Sequence, residues 1–230
     1  METLIFSIIA FFSGAIPFSI IFTKILSGKD VREVGDNNPG AVNAWKTGGA
    51  LIGMSVMFVE FLKAILPIWL AYQYFDISGY DLVLVSAMPI LGHSFSPFLK
   101  FKGGKALAVT AAMWLALFNV ESALIIFGLL AIMYTIQKND AWTVNIVHLG
   151  FFIYGMTTNI SNEHISNSQF MFLWIFASLV MVYNHRKELQ SPPNFKRVKD
   201  LFGVKYDWFF WWITSSNCNN FFIHICRFYS

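Results

Sequence analysis

Three polar stretches and one intramembrane pair carry the residue types that handle anions. The first stretch, residues 27–49, reads Ser-Gly-Lys-Asp-Val-Arg-Glu-Val-Gly-Asp-Asn-Asn-Pro-Gly-Ala-Val-Asn-Ala-Trp-Lys-Thr-Gly-Gly. Three Asn, one Pro and four Gly fall within residues 35–49. Such residues tolerate turns and left-handed backbone, and they expose N–H groups. Lys29, Arg32 and Lys46 flank them. N–H groups in a nest beside a guanidinium make a phosphate or carboxylate site. A plain basic anchor would explain the cations but not the Asn, Pro and Gly.

The second stretch, residues 92–106, reads Gly-His-Ser-Phe-Ser-Pro-Phe-Leu-Lys-Phe-Lys-Gly-Gly-Lys-Ala. Gly103 and Gly104 lie between Lys102 and Lys105, and a helix is expected from Ala106 onward. A Gly-rich, Lys-bearing turn at a helix N-terminus favours phosphate. It is not a P-loop, because GxxxxGK[ST] is absent. His93 sits at the membrane boundary, where an interfacial hydrogen-bonding role and a catalytic one are both open. The third stretch, residues 183–189, gathers Asn184, His185, Arg186 and Glu188. A positive-inside anchor accounts for Arg186 and Lys187 better than for Asn184 and His185. Glu60 and Lys63 are three apart and share one helical face. Charges inside a membrane span face a bundle interior or polar cavity. Here they either pair locally or line the cavity below the loops.

The elements that must position these residues are membrane helices. The chain has 230 residues, of which 56% are hydrophobic, 18% aromatic and only 13% charged, with a net charge of +3. Mean hydropathy is +0.56. Soluble domains average roughly 25% charged residues. This composition excludes an ordinary soluble enzyme, a disordered chain and a nucleic-acid binder. Cys218 and Cys226 form neither a CxxC nor a zinc pattern, so no metal is expected.

Spans need about 20 apolar residues. Seven are expected, over residues 4–22, 50–75, 82–99, 106–120, 122–137, 141–158 and 165–183. The first lacks a basic flank and an A-x-A site, so it reads as a mature helix rather than a signal peptide. Seven spans put every Lys and Arg except Lys63 on one side, which should be cytoplasmic. The N-terminus is then outside and the C-terminus inside. Merging the fourth and fifth spans would send the basic tail outside, so the pattern favours a hairpin broken at residues 119–121. Asn159-Ile-Ser161 matches a glycosylation sequon, which in so short a loop reads as chance. All three polar stretches fall on the basic side. An anionic, amphipathic and phosphorylated substrate would be met there.

These residues resemble the motifs of the membrane glycerol-3-phosphate acyltransferases of the PlsY type. The G-S-I-P-F pattern falls on Ser13-Gly-Ala-Ile-Pro-Phe18. R-K-V-G-S-G-N-x-G-A-T-N falls on residues 32–43, matching Arg32, Gly35, Asn38, Gly40, Ala41 and Asn43. The family's Ser, second Gly and Thr fall on Asp36, Asn37 and Val42. G-H-x-x-x-x-F-L-x-F-K-G-G-K-G falls on residues 92–106, departing only at Ala106. R-H-R-x-N-I falls on residues 184–189, matching His185 and Arg186, with Asn184 and Glu188 as departures. The intramembrane Asp/Glu-x-x-Lys falls on Glu60 and Lys63. The likeness covers about residues 4–190, as one membrane domain of a divergent branch. Asp36 puts a negative charge near a presumed phosphate: either it points away and pairs with Arg32 or a lysine, or the substrate differs.

The resemblance implies an all-α polytopic fold with seven membrane helices in a bacterial-type plasma membrane. It implies acyl transfer from acyl-phosphate to glycerol 3-phosphate, giving lysophosphatidic acid and phosphate for phospholipid synthesis, with no cofactor. By the motif matches, Arg32, Asp36, Asn38, Gly40, Lys102, Gly103, Gly104, Lys105 and Arg186 would form the substrate-binding set. Asn43 and His185 would orient donor and acceptor. His93 is a candidate base beside the donor's own phosphate oxygen. A covalent acyl-enzyme is not expected, since no Cys lies in a motif and no Ser-His-acid pattern is visible. The H-x-x-x-x-D box of other glycerolipid acyltransferases is absent after all five His. A lipid or organic-anion transporter is the competing class. Its broken helices would fit, but no inverted repeat is visible and the polar groups gather at one face. A non-catalytic scaffold would leave the Gly-Gly turn unexplained. Residues 191–230 form an aromatic tail expected at the cytoplasmic side or the interface.

Overall fold

The structure is a computed structural model that describes residues 1–195. Pro17 interrupts the first apolar run. It lacks an N–H and drives Ile16 into an extended conformation, so the run becomes α1 (Glu2–Ala15) and α2 (Phe18–Ser27). The break frees carbonyls that a continuous helix would use. Ile16 O accepts from Lys63 Nζ at 3.2 Å, and Ala15 O from Ser96 Oγ at 2.6 Å. Ser13 Oγ donates to Lys63 O at 2.7 Å. One proline thus supplies the acceptor that a buried lysine needs.

After a short 3-10 turn, α3 (Ala41–Gly48) and α4 (Ala50–Phe75) are divided at Gly49, whose φ is +85°. Then follow α5 (Gly79–Ser94), α6 (Leu107–Ile136), α7 (Asp140–Thr158) and α8 (Asn167–Asn184). No room remains for a side chain between α1 and α5. A Cβ on Gly14 would strike the Pro89 backbone, and one on Gly92 the Phe11 carbonyl. Small residues let membrane helices pack this closely.

The α6 stretch contains a reversal. Phe118 and Asn119 leave helical geometry, Asn119 with φ +60°. With ψ at −166°, Asn119 sits in a region that only glycine adopts readily, so the reversal is strained. Asn162 Nδ2 covers the freed Leu117 carbonyl at 2.7 Å. A straight helix of this length would hold its ends about 45 Å apart. Instead Leu107, Thr110, Ile126 and Leu130 line one small cavity. Glu188 meets both Lys105, just before α6, and Asn139, just after it. The break expected at residues 119–121 is therefore present, at Phe118 and Asn119.

The interior is aromatic and aliphatic, with Trp114, Phe151, Phe170 and Leu82 fully buried. The outer surface is apolar as well: Leu4, Phe58, Leu124 and Leu179 are 64–67% exposed. Such a surface suits lipid. Among the described residues, four helical stretches are long and apolar enough to cross a membrane: Glu2–Ser27, Ala50–Phe75, Gly79–Leu99 and Leu107–Ile136.

The loops sort to two ends. At one end Gly79 N–H donates to His164 O, Tyr72 stacks on His164, and Tyr154 bonds Glu121. At the other end the loops at residues 30–40, 95–106, 137–139 and 185–190 meet. Residues 1–194 form one unit. Residues 208–213 and 221–229 of the aromatic tail, with both cysteines, lie outside the described residues.

Candidate active site

The basic loops enclose a cleft of about 1000 Å³. Arg32, Asp36, Asn38, Lys102, Gly103, Gly104, Lys105 and Arg186 all line it, as do Ser94, Lys100 and Asn184. Eight residues singled out from three distant stretches of sequence therefore share one cavity. Aromatic side chains the sequence reading did not single out, Phe95, Phe98, Phe101 and Tyr183, complete the wall.

The two glycines of the floor do something other than expected. The N–H of Gly103 donates to Ser94 O at 3.1 Å, and that of Gly104 to His93 O at 3.0 Å. These are the terminal carbonyls of α5, which a helix end leaves without partners. Both amides are thus engaged inside the protein instead of pointing at an anion. The glycines are needed for closeness. A Cβ on Gly103 would overlap the His93 carbonyl oxygen and lie 2.8 Å from the Ser94 carbonyl. A Cβ on Gly104 would overlap His93 Nε2.

Just beyond, Ala106 has φ +62°. The resemblance places glycine there, and the left-handed backbone supplies the reason. Left-handed geometry costs an alanine roughly 1–2 kcal/mol, and alanine is also a poor helix N-cap. Ala106→Gly should therefore raise stability by roughly 1 kcal/mol, after the entropy that glycine adds to the unfolded chain is subtracted. Thermal unfolding in detergent reads this directly. A lower midpoint would contradict the backbone geometry. Asn37 stands at the other missing glycine, with φ +61°, where Asn is tolerated.

The first loop is tied to the second through side chains. Asn38 Oδ1 accepts from the Lys105 N–H at 3.0 Å. Asn43 Nδ2 donates to Asp36 Oδ1 at 2.7 Å and to Asn38 O at 3.0 Å. Gly40 N–H closes the turn on Asn38 O and starts α3. Asn43 is buried and stands behind the cleft wall rather than on it. Asp36 Oδ2 meets Lys105 Nζ at 2.6 Å, and Glu188 Oε1 meets the same ammonium at 2.9 Å. Burial works against all three charges, but the shared hydrogen bonds outweigh it. They hold the Asp36 and Glu188 carboxyls below their ordinary range and the Lys105 ammonium above its own.

Arg32 is not free. It grips Asp30 with two bonds, Nε to Oδ1 at 3.0 Å and Nη2 to Oδ2 at 2.6 Å. That hydrogen bonding holds the Asp30 carboxyl down at about 2. Arg186 lies over the Tyr183 ring at 4.2 Å and donates to Tyr183 O at 2.7 Å. Among the described residues, Lys100, Lys102 and Arg186 show no carboxylate partner. They are the cleft's uncompensated cations. His185 turns inward, its Nδ1 2.9 Å from Met181 O, and burial lowers its basicity. Asn184 Nδ2 reaches Ser94 Oγ at 2.9 Å and links α8 to α5.

Beneath the floor lies the intramembrane cluster. Glu60 Oε2 stands 2.7 Å from Lys63 Nζ and 3.1 Å from His93 Nδ1. Lys63 Nζ is also 2.9 Å from His93 Nδ1. Glu60 and Lys63 are almost wholly buried, while the His93 side chain keeps 10% exposure. Glu60 Oε1 accepts no hydrogen bond among the described residues. The Glu–Lys pair is local: none of Glu60, Lys63 and His93 lines the cleft, and the cluster adjoins its floor through the bond from Gly104 N–H to His93 O. Sequence spacing gave no sign of Asp30 as the Arg32 partner or of Glu188 as a Lys105 partner. Each pairing is set by backbone turns rather than by helical periodicity.

A lipid-clad helical bundle with a cationic cleft let into one end defines a multi-pass integral membrane protein. The sequence profile of the family described as glycerol-3-phosphate acyltransferase matches residues 4–192. Glycerol-3-phosphate acyltransferase 1 of Thermotoga maritima is 32% identical over 194 residues, covering 79% of this chain and 93% of that protein. The glycerol-3-phosphate acyltransferase of Pelagibacter ubique is 30% identical, covering 86% of this chain and 98% of its own. A crystal structure of PlsY, an integral membrane glycerol 3-phosphate acyltransferase in its glycerol 3-phosphate form, aligns with a TM-score of 0.72 at 26% identity. That alignment covers 83% of this chain and 91% of that one. The chain belongs to the membrane glycerol-3-phosphate acyltransferases of the PlsY type.

Proposed function

We propose that this protein transfers an acyl chain from an acyl-phosphate to a hydroxyl of glycerol 3-phosphate. The products are lysophosphatidic acid and inorganic phosphate. We further propose seven crossings, an outside N-terminus and a cleft at the cytoplasmic face. The antiparallel halves of α6 support the crossing number. The positive-inside bias of the loops around the cleft supports the orientation.

The observation that carries the reading is the cleft itself. Its uncompensated cations, Lys100, Lys102 and Arg186, face a space of about 1000 Å³ walled by Phe95, Phe98 and Tyr183. Phosphate oxygens suit the cations, and acyl carbons suit the aromatic wall. An acyl-phosphate is already activated, so the protein's task is to hold two phosphorylated reactants in line and stabilise charge.

The acceptor oxygen bonds to the acyl carbon, and the bond from that carbon to the phosphate oxygen breaks. Phosphate leaves with the electron pair. The hydroxyl proton passes to an oxygen of the departing phosphate. Two features of His93 favour that acceptor over its ring. Its Nδ1 is engaged by Glu60 and Lys63, and its Nε2 packs against Gly104. In this reading His93 supports the floor and acts through Gly103 and Gly104. Asn43 acts through Asp36 and Asn38, and His185 through the turn that carries Arg186.

Purified protein given both substrates should form lysophosphatidic acid and inorganic phosphate in equal amounts. Phosphate release without lysophosphatidic acid would mean simple hydrolysis and would contradict the assignment.

A further inference from the structure

Lys105 lines the cleft, yet its ammonium is already satisfied. Asp36 approaches it from the first loop at 2.6 Å and Glu188 from the segment after α8 at 2.9 Å. The three groups together carry one net negative charge. Lys105 and Asp36 line a wall that otherwise offers Lys100, Lys102 and Arg186 to an anion, and Glu188 adjoins that wall through Lys105. Both carboxylates are departures from the motif pattern, which has Ser and Asn at these positions. Two acidic replacements, far apart in sequence, thus converge on one lysine.

Each carboxylate is also held in place. Asp36 is braced by Asn43 Nδ2 at 2.7 Å, and the backbone of Glu188 by Asn139 Nδ2 at 3.3 Å. A phosphate entering the cleft must therefore compete with two positioned carboxylates for Lys105, and it meets their repulsion if it fails.

We propose that Asp36 and Glu188 form a clamp that withholds Lys105 from the substrate phosphate and sets a weak affinity for it. This rests on the reading of the cleft as a phosphate site. The clamp makes both residues specificity-determining: they act on the substrate through Lys105 and take no part in bond making. Lys102, Lys100 and Arg186 carry the resting affinity. Lys105 is the reserve cation, released when its carboxylates are neutralised.

The test is binding of glycerol 3-phosphate, and separately of inorganic phosphate, to the full chain in detergent by calorimetry. The proteins compared are wild type, Glu188→Gln, and Asp36→Asn with Glu188→Gln. The double substitution should tighten binding roughly three- to tenfold, the scale of a charge interaction at a partly exposed site. Glu188→Gln alone should tighten it less and serves if the double variant does not fold. Adding Lys105→Gln to the double variant should abolish the gain, which a purely structural role for the lysine would not do.

Unchanged or weaker binding in the neutralised variants would overturn the clamp and leave Lys105 as a strut between loops. Lysophosphatidic acid formation by wild type is measured in parallel. Its absence alongside tighter phosphate binding in the variants would remove the proposed activity and leave the clamp standing.

Discussion

Gly103→Ala should reduce turnover by at least roughly a hundredfold, the loss that displacement of reacting groups by an ångström can produce. The added Cβ would fall on backbone atoms, the carbonyls of His93 and Ser94, which cannot swing aside as a side-chain tip can. To admit it, the turn must lift off the end of α5. The bonds from Gly103 N–H to Ser94 O and Gly104 N–H to His93 O would then be lost. Lys102 and Lys105 would move with the turn. Gly104→Ala should be milder, because its Cβ meets the His93 ring rather than backbone. Lysophosphatidic acid formation at matched, folded protein levels measures both. Wild-type turnover in Gly103→Ala would show that the floor is not built this way.

Lys63→Met should destabilise the protein by about 3–5 kcal/mol, the usual cost of leaving a buried charge without its partner. Glu60 would lose the ammonium at 2.7 Å, and Ile16 O would keep the Phe18 N–H as its donor. Among the described residues, His93 would remain beside the carboxylate, at 3.1 Å. Replacing both charges, as Glu60→Gln with Lys63→Met, should recover much of the loss, since a neutral pair of similar volume carries no buried charge. The comparison is a double-mutant cycle read by thermal unfolding in detergent. Equal destabilisation in the single and double variants would mean that the pair is not energetically coupled. Activity of the double variant separates stability from function, because the cluster reaches the cleft indirectly, through His93 and the Gly103–Gly104 turn.

Much of the site was legible because its residue types are improbable in a membrane protein for any bland reason. Gly103, Gly104 and their flanking lysines, and the Asn- and Gly-rich first loop, all reach the cleft. The reversal near Asn119 was legible from charge: without it the basic tail would change sides. Residues whose roles depend on distant partners were not legible. Asp36 stood out as an anomaly with Arg32 or a lysine as its expected partner, but the choice of Lys105, shared with Glu188, requires three loops to meet. The glycines looked like anion donors because spacing shows where an N–H lies in the chain, not which carbonyl it meets. Pro17 was visible inside an apolar run, yet its consequence, an Ile16 carbonyl turned toward Lys63, belongs to the packing of α1 against α4. His185 shared a motif with Arg186, but adjacent residues at a helix end point in different directions, and only Arg186 faces the cleft.

The choice of acyl donor tests the central claim most directly. Purified protein in detergent would receive glycerol 3-phosphate with either palmitoyl-phosphate or palmitoyl-CoA, and lysophosphatidic acid would be read by mass spectrometry. The account predicts product from palmitoyl-phosphate alone, because the cleft offers cations for a phosphate leaving group. Product from palmitoyl-CoA, or from neither donor with folded protein, would contradict it.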